Sequence, residues 1–194
     1  MTKETIVTAA LRLFLTRGYQ SVSLADVAKE AGITKGAIYH YFSGKEDLLQ
    51  RSLQLLSERV TAMYQGLLSD KYSVRQVLEA LIVERTPERY CRDLLQMQES
   101  CRLDYAQFAL EIMRKYPGIQ QQIEQSNATV CEFLTHRLQQ AAVSGEIKPE
   151  TDCFALAAGI LALVNGQNAL GSHFQSLAVR QRVLETVSGL LELA

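Results

Sequence analysis

The stretch SLADVAKEAGITKGAIYHYF, residues 23–42, places two short helical segments on either side of a glycine. Ser23 stands where its hydroxyl can cap the amide of Asp26, and Leu24, Val27 and Ala28 share one face of a helix that ends at Gly32. Thr34 can cap a second helix, Lys35 to Tyr41, at whose end Ile38 and Phe42 lie four apart and turn inward together. The opposite face carries Lys35, Tyr39 and, to one side, His40. Gly32 supplies the positive backbone angle that a sharp turn needs, and Ile33 plugs the angle between the two helices. Helix, glycine turn and helix at this spacing predict a DNA-reading helix-turn-helix.

Outward from this core, Ile6, Ala9, Ala10, Leu13 and Phe14 follow i, i+3, i+4, i+7, i+8 and predict a bracing helix that closes at Arg17-Gly18. Downstream, Ser43 and Glu46 have the spacing of a capping box at the head of a fourth helix. Its stripe of Leu48, Leu49, Leu53, Leu56, Val60 and Met63 runs to about Leu68, long enough to connect two parts of the chain. A second box, Ser73 to Gln76, opens a helix through Val77, Leu78, Leu81 and Ile82, with a break or kink near Thr86-Pro87. Helical patterns then cover roughly residues 88–100, 103–116 and 119–143, a loop at Ser144-Gly145 and Pro149, and last helices near 151–170 and 177–193. The expected architecture is all-α, about nine helices, with a helix-turn-helix domain at 1–46 and a helical domain at 47–194.

Within the second short helix, bulk at Gly36 or Ala37 would hold the backbone away from base edges and phosphates, so their smallness permits close approach. Lys35 can reach guanine acceptors or a phosphate, and Tyr39, His40 and Tyr41 can place donors on the DNA backbone. Lys45 and the amides at the start of the fourth helix offer a further anion site. Taken singly, a Tyr-His-Tyr-Phe run also reads as core packing with a wet edge. Net charge does not decide the matter: the chain carries −1, and its first 50 residues hold six cations against five anions. DNA affinity must therefore come from a few placed groups rather than a generally basic face.

Several classes are excluded or disfavoured. With 47% hydrophobic and 21% charged residues the chain is neither disordered nor membrane-embedded. Its longest apolar run, Phe154 to Val164, falls short of the roughly 18–20 residues that span a bilayer. The start lacks a signal-peptide pattern, so a cytoplasmic protein without a membrane partner is expected. Cys91, Cys101, Cys131 and Cys153 form no C-x-x-C pair and stand as apolar fillers or, alternatively, as thiol sensors. No phosphate loop, nucleophile elbow or H-E-x-x-H occurs, and His40, His136 and His173 are scattered. Neither an enzyme nor a metal or cofactor is expected. A helical interaction module that never touches DNA is the remaining rival, against which Lys35, Gly36 and Tyr39 on one face argue.

The run TKGAIYHYFSGKEDL, residues 34–48, preceded by Gly18-Tyr19, by Ser23 to Ala28 and by Ala31-Gly32-Ile33, resembles the N-terminal domain of the TetR family of repressors. The resemblance covers about the first 50 residues. It implies a homodimer of all-helical subunits that binds a palindromic operator in double-stranded DNA. It also implies a variable C-terminal domain whose small-molecule inducer releases that operator. Carried over position by position, base and phosphate contacts fall on Lys35, Gly36, Ala37, Tyr39, His40 and Tyr41, with Ser23, Thr34 and Lys45 as backbone anchors.

The resemblance places the dimer interface on the last two helices, where Leu156, Ile160, Leu163, Leu184, Val187 and Leu191 supply apolar surface among small residues. A core role for the same residues is the alternative. An inducer pocket would draw on Met97, Cys101, Tyr105, Phe108 and Phe133, with Asn165 and Asn168 as polar interruptions of an apolar helix. For each of these, plain core packing is an equal reading. No dense cationic cluster lies between Tyr90 and Phe133, so a small neutral-to-apolar inducer is expected. Arg89, Arg92, Arg102 and Arg114 also admit a carboxylate. Regulation by thiol oxidation, or without any small ligand, is the alternative.

Overall fold

The computed structural model describes residues 3–97, 105–167 and 174–191. Among them are ten α-helices and one π-helical turn, and no strand, so the fold is all-α as expected, with one helix more than the approximate count. The helices are α1 Lys3–Arg17, α2 Leu24–Glu30, α3 Lys35–Tyr39, α4 Lys45–Leu67, α5 Val74–Leu78, α6 Thr86–Leu94, α7 Tyr105–Met113, α8 Pro117–Ser144, α9 Cys153–Gln167 and α10 Leu177–Leu190.

The chain forms two compact units. One contains the described residues through Val60 and those from Tyr90 to Glu124; the other contains Thr61–Arg89 and the described residues from Gln125 onward. In the first unit the predicted stripe of α1 is buried, and Val7, Leu11 and Leu15 are buried as well, so α1 is covered around most of its circumference. Ile6, Phe14, Ile38, Phe42, Leu48, Leu49 and Leu56 join Leu95, Phe108, Ile112 and Ile119 in a single apolar cluster. The core around the helix-turn-helix therefore extends to side chains from the end of α6, from α7 and from the start of α8.

Local signals end the helices of this unit. α1 stops at Gly18, φ +79°, whose amide donates to the Phe14 carbonyl at 3.0 Å. α2 begins with the reciprocal box: the Asp26 amide donates to Ser23 Oγ at 3.2 Å and the Ser23 amide to Asp26 Oδ2 at 2.8 Å. It ends with the Ile33 amide on the Ala28 carbonyl (2.9 Å) and the Gly32 amide on that of Lys29 (3.2 Å). This is the Schellman pair, with Gly32 at φ +69° in the left-handed position that L side chains resist. An ion pair between Arg12 and Glu30, 3.0 Å, joins α1 to α2 on the surface.

The box expected between Ser43 and Glu46 forms elsewhere. Gly44 occupies the cap position, because its carbonyl accepts the Leu48 amide at 3.1 Å and the helix begins at Lys45. The third helical residue is then Asp47, and its Oδ2 takes the Ser43 amide at 2.9 Å. Starting the helix one residue later shifts the acceptor by one.

In the second unit Ser73 and Gln76 form the expected box at the head of α5. The expected break near Thr86-Pro87 falls at Glu84-Arg85: α5 widens into the π-helical turn Glu79–Val83, Arg85 takes φ 54°, and α6 starts at Thr86 with Pro87 in its tolerant first turn. α6 covers Thr86–Leu94 rather than 88–100, ending where Gln96 takes φ 51° and the Met97 amide reaches the Arg92 carbonyl at 2.9 Å. Val77, Leu78, Leu81, Ile82, Leu134, Leu138, Ala157 and Ile160 are buried here. Arg137, 6% exposed, donates to Glu146 Oε2 at 2.8 Å and to the Tyr72 carbonyl at 2.6 Å, so its buried charge is paired. No helix among the described residues is long and apolar enough to cross a membrane.

Candidate DNA-binding surface

α3 is short because its register serves two faces. Thr34 Oγ1 accepts the Ala37 amide at 3.2 Å and starts the helix. After Tyr39 the chain tightens: both the Tyr41 amide (2.9 Å) and the Phe42 amide (3.0 Å) converge on the Ile38 carbonyl. The regular helix therefore ends at Tyr39, and His40 and Tyr41 continue in a turn rather than in the helix expected to residue 41. Ile38 and Phe42 are 0% and 1% exposed, anchoring this segment in the core. Lys35, Gly36, Tyr39, His40 and Tyr41 are exposed, and Ala37 is half-buried.

Gly36 is informative. A Cβ added there would meet one atom within 4 Å, Thr34 Oγ1 at 3.9 Å, an ordinary contact. Its φ is not in the left-handed region, so neither space nor conformation inside the chain demands glycine. Glycine within a helix costs roughly 0.5–1 kcal/mol relative to alanine. The fold does not explain that cost.

Ser23 and Lys45, expected as backbone anchors, are engaged within the chain. Ser23 Oγ donates to Asp26 Oδ2 at 2.6 Å and the Ser23 amide donates to the same oxygen at 2.8 Å, and these two bonds, hydroxyl first, hold the Asp26 carboxyl below its ordinary 3.8. Lys45 is half-buried. Its Nζ donates to the Tyr19 carbonyl and, at 3.5 Å, to that of Gln20, and lies 4.1 Å from the centre of the Tyr19 ring. Burial pulls its pKa below the usual lysine value, partly opposed by the Glu111 carboxylate. Lys45 thus sits on the turn after α1 rather than projecting into solvent.

Sequence reasoning missed Glu111 and Tyr116. Glu111 Oε2 accepts the Tyr19 amide at 3.2 Å and Oε1 the Gln20 amide at 2.9 Å, while Tyr116 donates to the Tyr19 hydroxyl at 3.3 Å. Burial, with the bond from Tyr116, pushes the Tyr19 hydroxyl well above the ordinary tyrosine range. No local motif signals these partners, which lie more than 90 residues from the turn they touch.

Of the residues named for a pocket, those described are divided between the two units. Phe108, 3% exposed, belongs to the core of the first unit, where Met97 packs against the same cluster. Phe133, half-buried on α8, and Asn165, exposed on α9, belong to the second. Cys101, Asn168 and the Tyr105 side chain lie outside the described residues. Of the residues named for dimerisation, Ile160, Leu184 and Leu191 are buried in the single chain. Leu156, Leu163 and Val187 are half-buried. The exposed apolar surface of α9 and α10 instead includes Phe154, Ala158, Ala162 and Leu190.

Residues 6–51 match the family model described as bacterial regulatory proteins, tetR family. The chain is 27% identical over 165 residues to the HTH-type transcriptional regulator UidR of Escherichia coli K12, covering 85% of this chain and 79% of that one. A TetR-family transcriptional regulator from Cytophaga hutchinsonii superposes with a TM-score of 0.78 at 17% identity, covering 99% of this chain and 96% of the other. The reduced form of Escherichia coli NemR also gives a TM-score of 0.78, at 20% identity, covering 97% and 96%. At these identities the two structures establish the shared fold.

Proposed function

The chain belongs to the TetR family of bacterial regulatory proteins, and on that premise we propose that it is a repressor that binds a palindromic operator as a homodimer and releases it when a small molecule binds. The observation that carries this reading is the division of α3: Ile38 and Phe42 fix it in the core, while Lys35, Gly36, Tyr39 and Tyr41 face solvent around a glycine the fold does not need. Lys35 reads base edges or phosphate, and Ala37 keeps the approach close. Tyr39, His40 and Tyr41 donate to the DNA backbone, with Ser23, Thr34 and Lys45 at its margin. For Lys45 to serve, it exchanges a Tyr19 or Gln20 carbonyl for a phosphate. The protein acts by binding rather than catalysis, in the cytoplasm, and its DNA-binding part is residues 1–46.

Two copies are needed because so few cations per chain cannot hold DNA alone, and doubling supplies avidity. The exposed apolar surface of α9 and α10, including Phe154 and Leu190, supports pairing through those helices, with Leu156, Leu163 and Val187 at its edge. Residues 47–194 sense a small neutral-to-apolar molecule or a carboxylate. The inducer acts by shifting α4, which carries residues of both units, so that the two recognition segments leave the spacing of about 34–36 Å set by one DNA turn.

The test is selection of duplexes from a random library by the full chain, followed by sedimentation of the complex. The reading predicts an inverted repeat with two chains, or a multiple of two, on each site. A non-palindromic sequence, one chain per site, or no retained duplex would overturn it.

A further inference from the structure

Three side chains from outside α1 and α2 converge on the turn that joins those helices. Glu111 of α7 straddles the amides of Tyr19 and Gln20 with its two carboxylate oxygens, at 3.2 and 2.9 Å. Lys45 of α4 takes the carbonyls of the same two residues from the other charge sign. Tyr116, just beyond α7, donates to the Tyr19 hydroxyl at 3.3 Å, its ring perpendicular to that of Tyr19 at 5.8 Å. All of these residues lie in one compact unit.

The fit is close. A Cβ at Gly18 would come within 3.3 Å of Glu111 Oε2, tighter than most real contacts, so the bare glycine makes room for the carboxylate as well as for φ +79°. Gln20 is exposed, and water could satisfy its amide without help. At Gln20 a carboxylate recruited from 91 residues away is therefore not required to complete the hydrogen bonding, whereas at Tyr19, 4% exposed, the same carboxylate serves an amide with less access to water. What it adds is a rigid, charge-assisted link between α7 and the hinge about which α2 and α3 are set against α1.

We propose that Glu111 is a positioning residue for DNA binding: by holding the Tyr19 and Gln20 amides it ties α7 to the α1–α2 turn and fixes the orientation of the recognition segment. The inference rests on the DNA-binding reading above and adds a second route of control, in which any movement of α7 reaches α3 through this turn as well as through α4. Releasing the turn leaves α2 and α3 folded but free to sample several orientations, so that each binding event must first select one.

The experiment uses the full chain, with Glu111→Ala and Glu111→Gln variants, and the duplex selected by the wild type. Amide hydrogen exchange at Tyr19 and Gln20 is followed by NMR in the free protein. Affinity is measured together with a stoichiometric titration of the active fraction, which separates weakened binding from loss of folded protein. For Glu111→Ala the expected result is faster exchange at those two amides and an affinity about tenfold lower at an unchanged active fraction. Glu111→Gln, keeping one acceptor oxygen, falls between Glu111→Ala and the wild type, and carries the test alone if Glu111→Ala does not fold. Wild-type affinity in a variant whose two amides exchange freely, or unchanged exchange, overturns the positioning role while leaving the DNA-binding reading intact. A wild type that retains no duplex removes both.

Discussion

Ile38 and Tyr39 are neighbours on α3 and face opposite environments: Ile38 is 0% exposed, packed with Phe42 into the core, and Tyr39 is 53% exposed. One anchors the segment and the other is available to a partner. Truncating each should therefore fail in a different assay. Ile38→Ala is expected to lower unfolding free energy by about 2–5 kcal/mol, as for other large-to-small changes in a tight core. Tyr39→Ala should leave stability within about 0.5 kcal/mol while weakening operator binding. Urea unfolding and a DNA titration of both variants check the pair.

Gly32 and Gly36 give a second contrast. Gly32→Ala forces a Cβ into φ +69° and should destabilise by about 1–2 kcal/mol. Gly36→Ala meets no strain and should be neutral or stabilise by up to about 1 kcal/mol, yet bind the operator less well. Equal operator affinity for Gly36→Ala and wild type would remove the argument from close approach.

At the head of α4, Asp47 rather than Glu46 satisfies the Ser43 amide. Asp47→Ala should cost about 1 kcal/mol of stability, whereas Glu46→Ala should stay within about 0.5 kcal/mol. Thermal melts of the two single variants distinguish the positions.

Asp26 provides the pH dependence. Its folded pKa is held below 3.8, first by the Ser23 hydroxyl and then by the Ser23 amide. A lowered acid pKa means that the folded state favours the carboxylate, so its contribution is complete above 3.8 and is lost as pH falls through the lower, folded value. Stability measured from pH 6 to about pH 2 should decline less steeply in Asp26→Asn than in the wild type. Parallel acid profiles would show that Asp26 does not contribute.

The helix-turn-helix was legible in the sequence because its determinants are local. Ser23 and Asp26 are three residues apart, Thr34 and Ala37 likewise, and Gly18 and Gly32 close their helices within one turn. The grip of Glu111 on Tyr19 was not legible, since 92 residues separate the partners and no local pattern marks Glu111. The fate of Lys45 was hidden for the same reason: a lysine at a helix start reads as an anion site until the Tyr19 ring beneath it is seen. On α9 the apolar residues run around the whole helix. Periodicity therefore could not separate Ile160, buried in the chain's own core, from exposed Phe154 and Ala158. Phe108 illustrates the converse, an aromatic that suits a pocket by composition but fills the core beside α1.

The account depends most on the exposed face of α3, and titration of the selected operator with the Lys35→Ala, Tyr39→Ala double variant tests it most directly. Both side chains are exposed, so the variant should remain folded and keep the assembly state of the wild type while specific binding is lost. Lys35→Ala alone should also reduce the salt dependence of binding by about one phosphate contact per chain. A folded double variant that binds the operator with wild-type affinity would contradict the assignment of Lys35 to Tyr39 as the DNA-reading element.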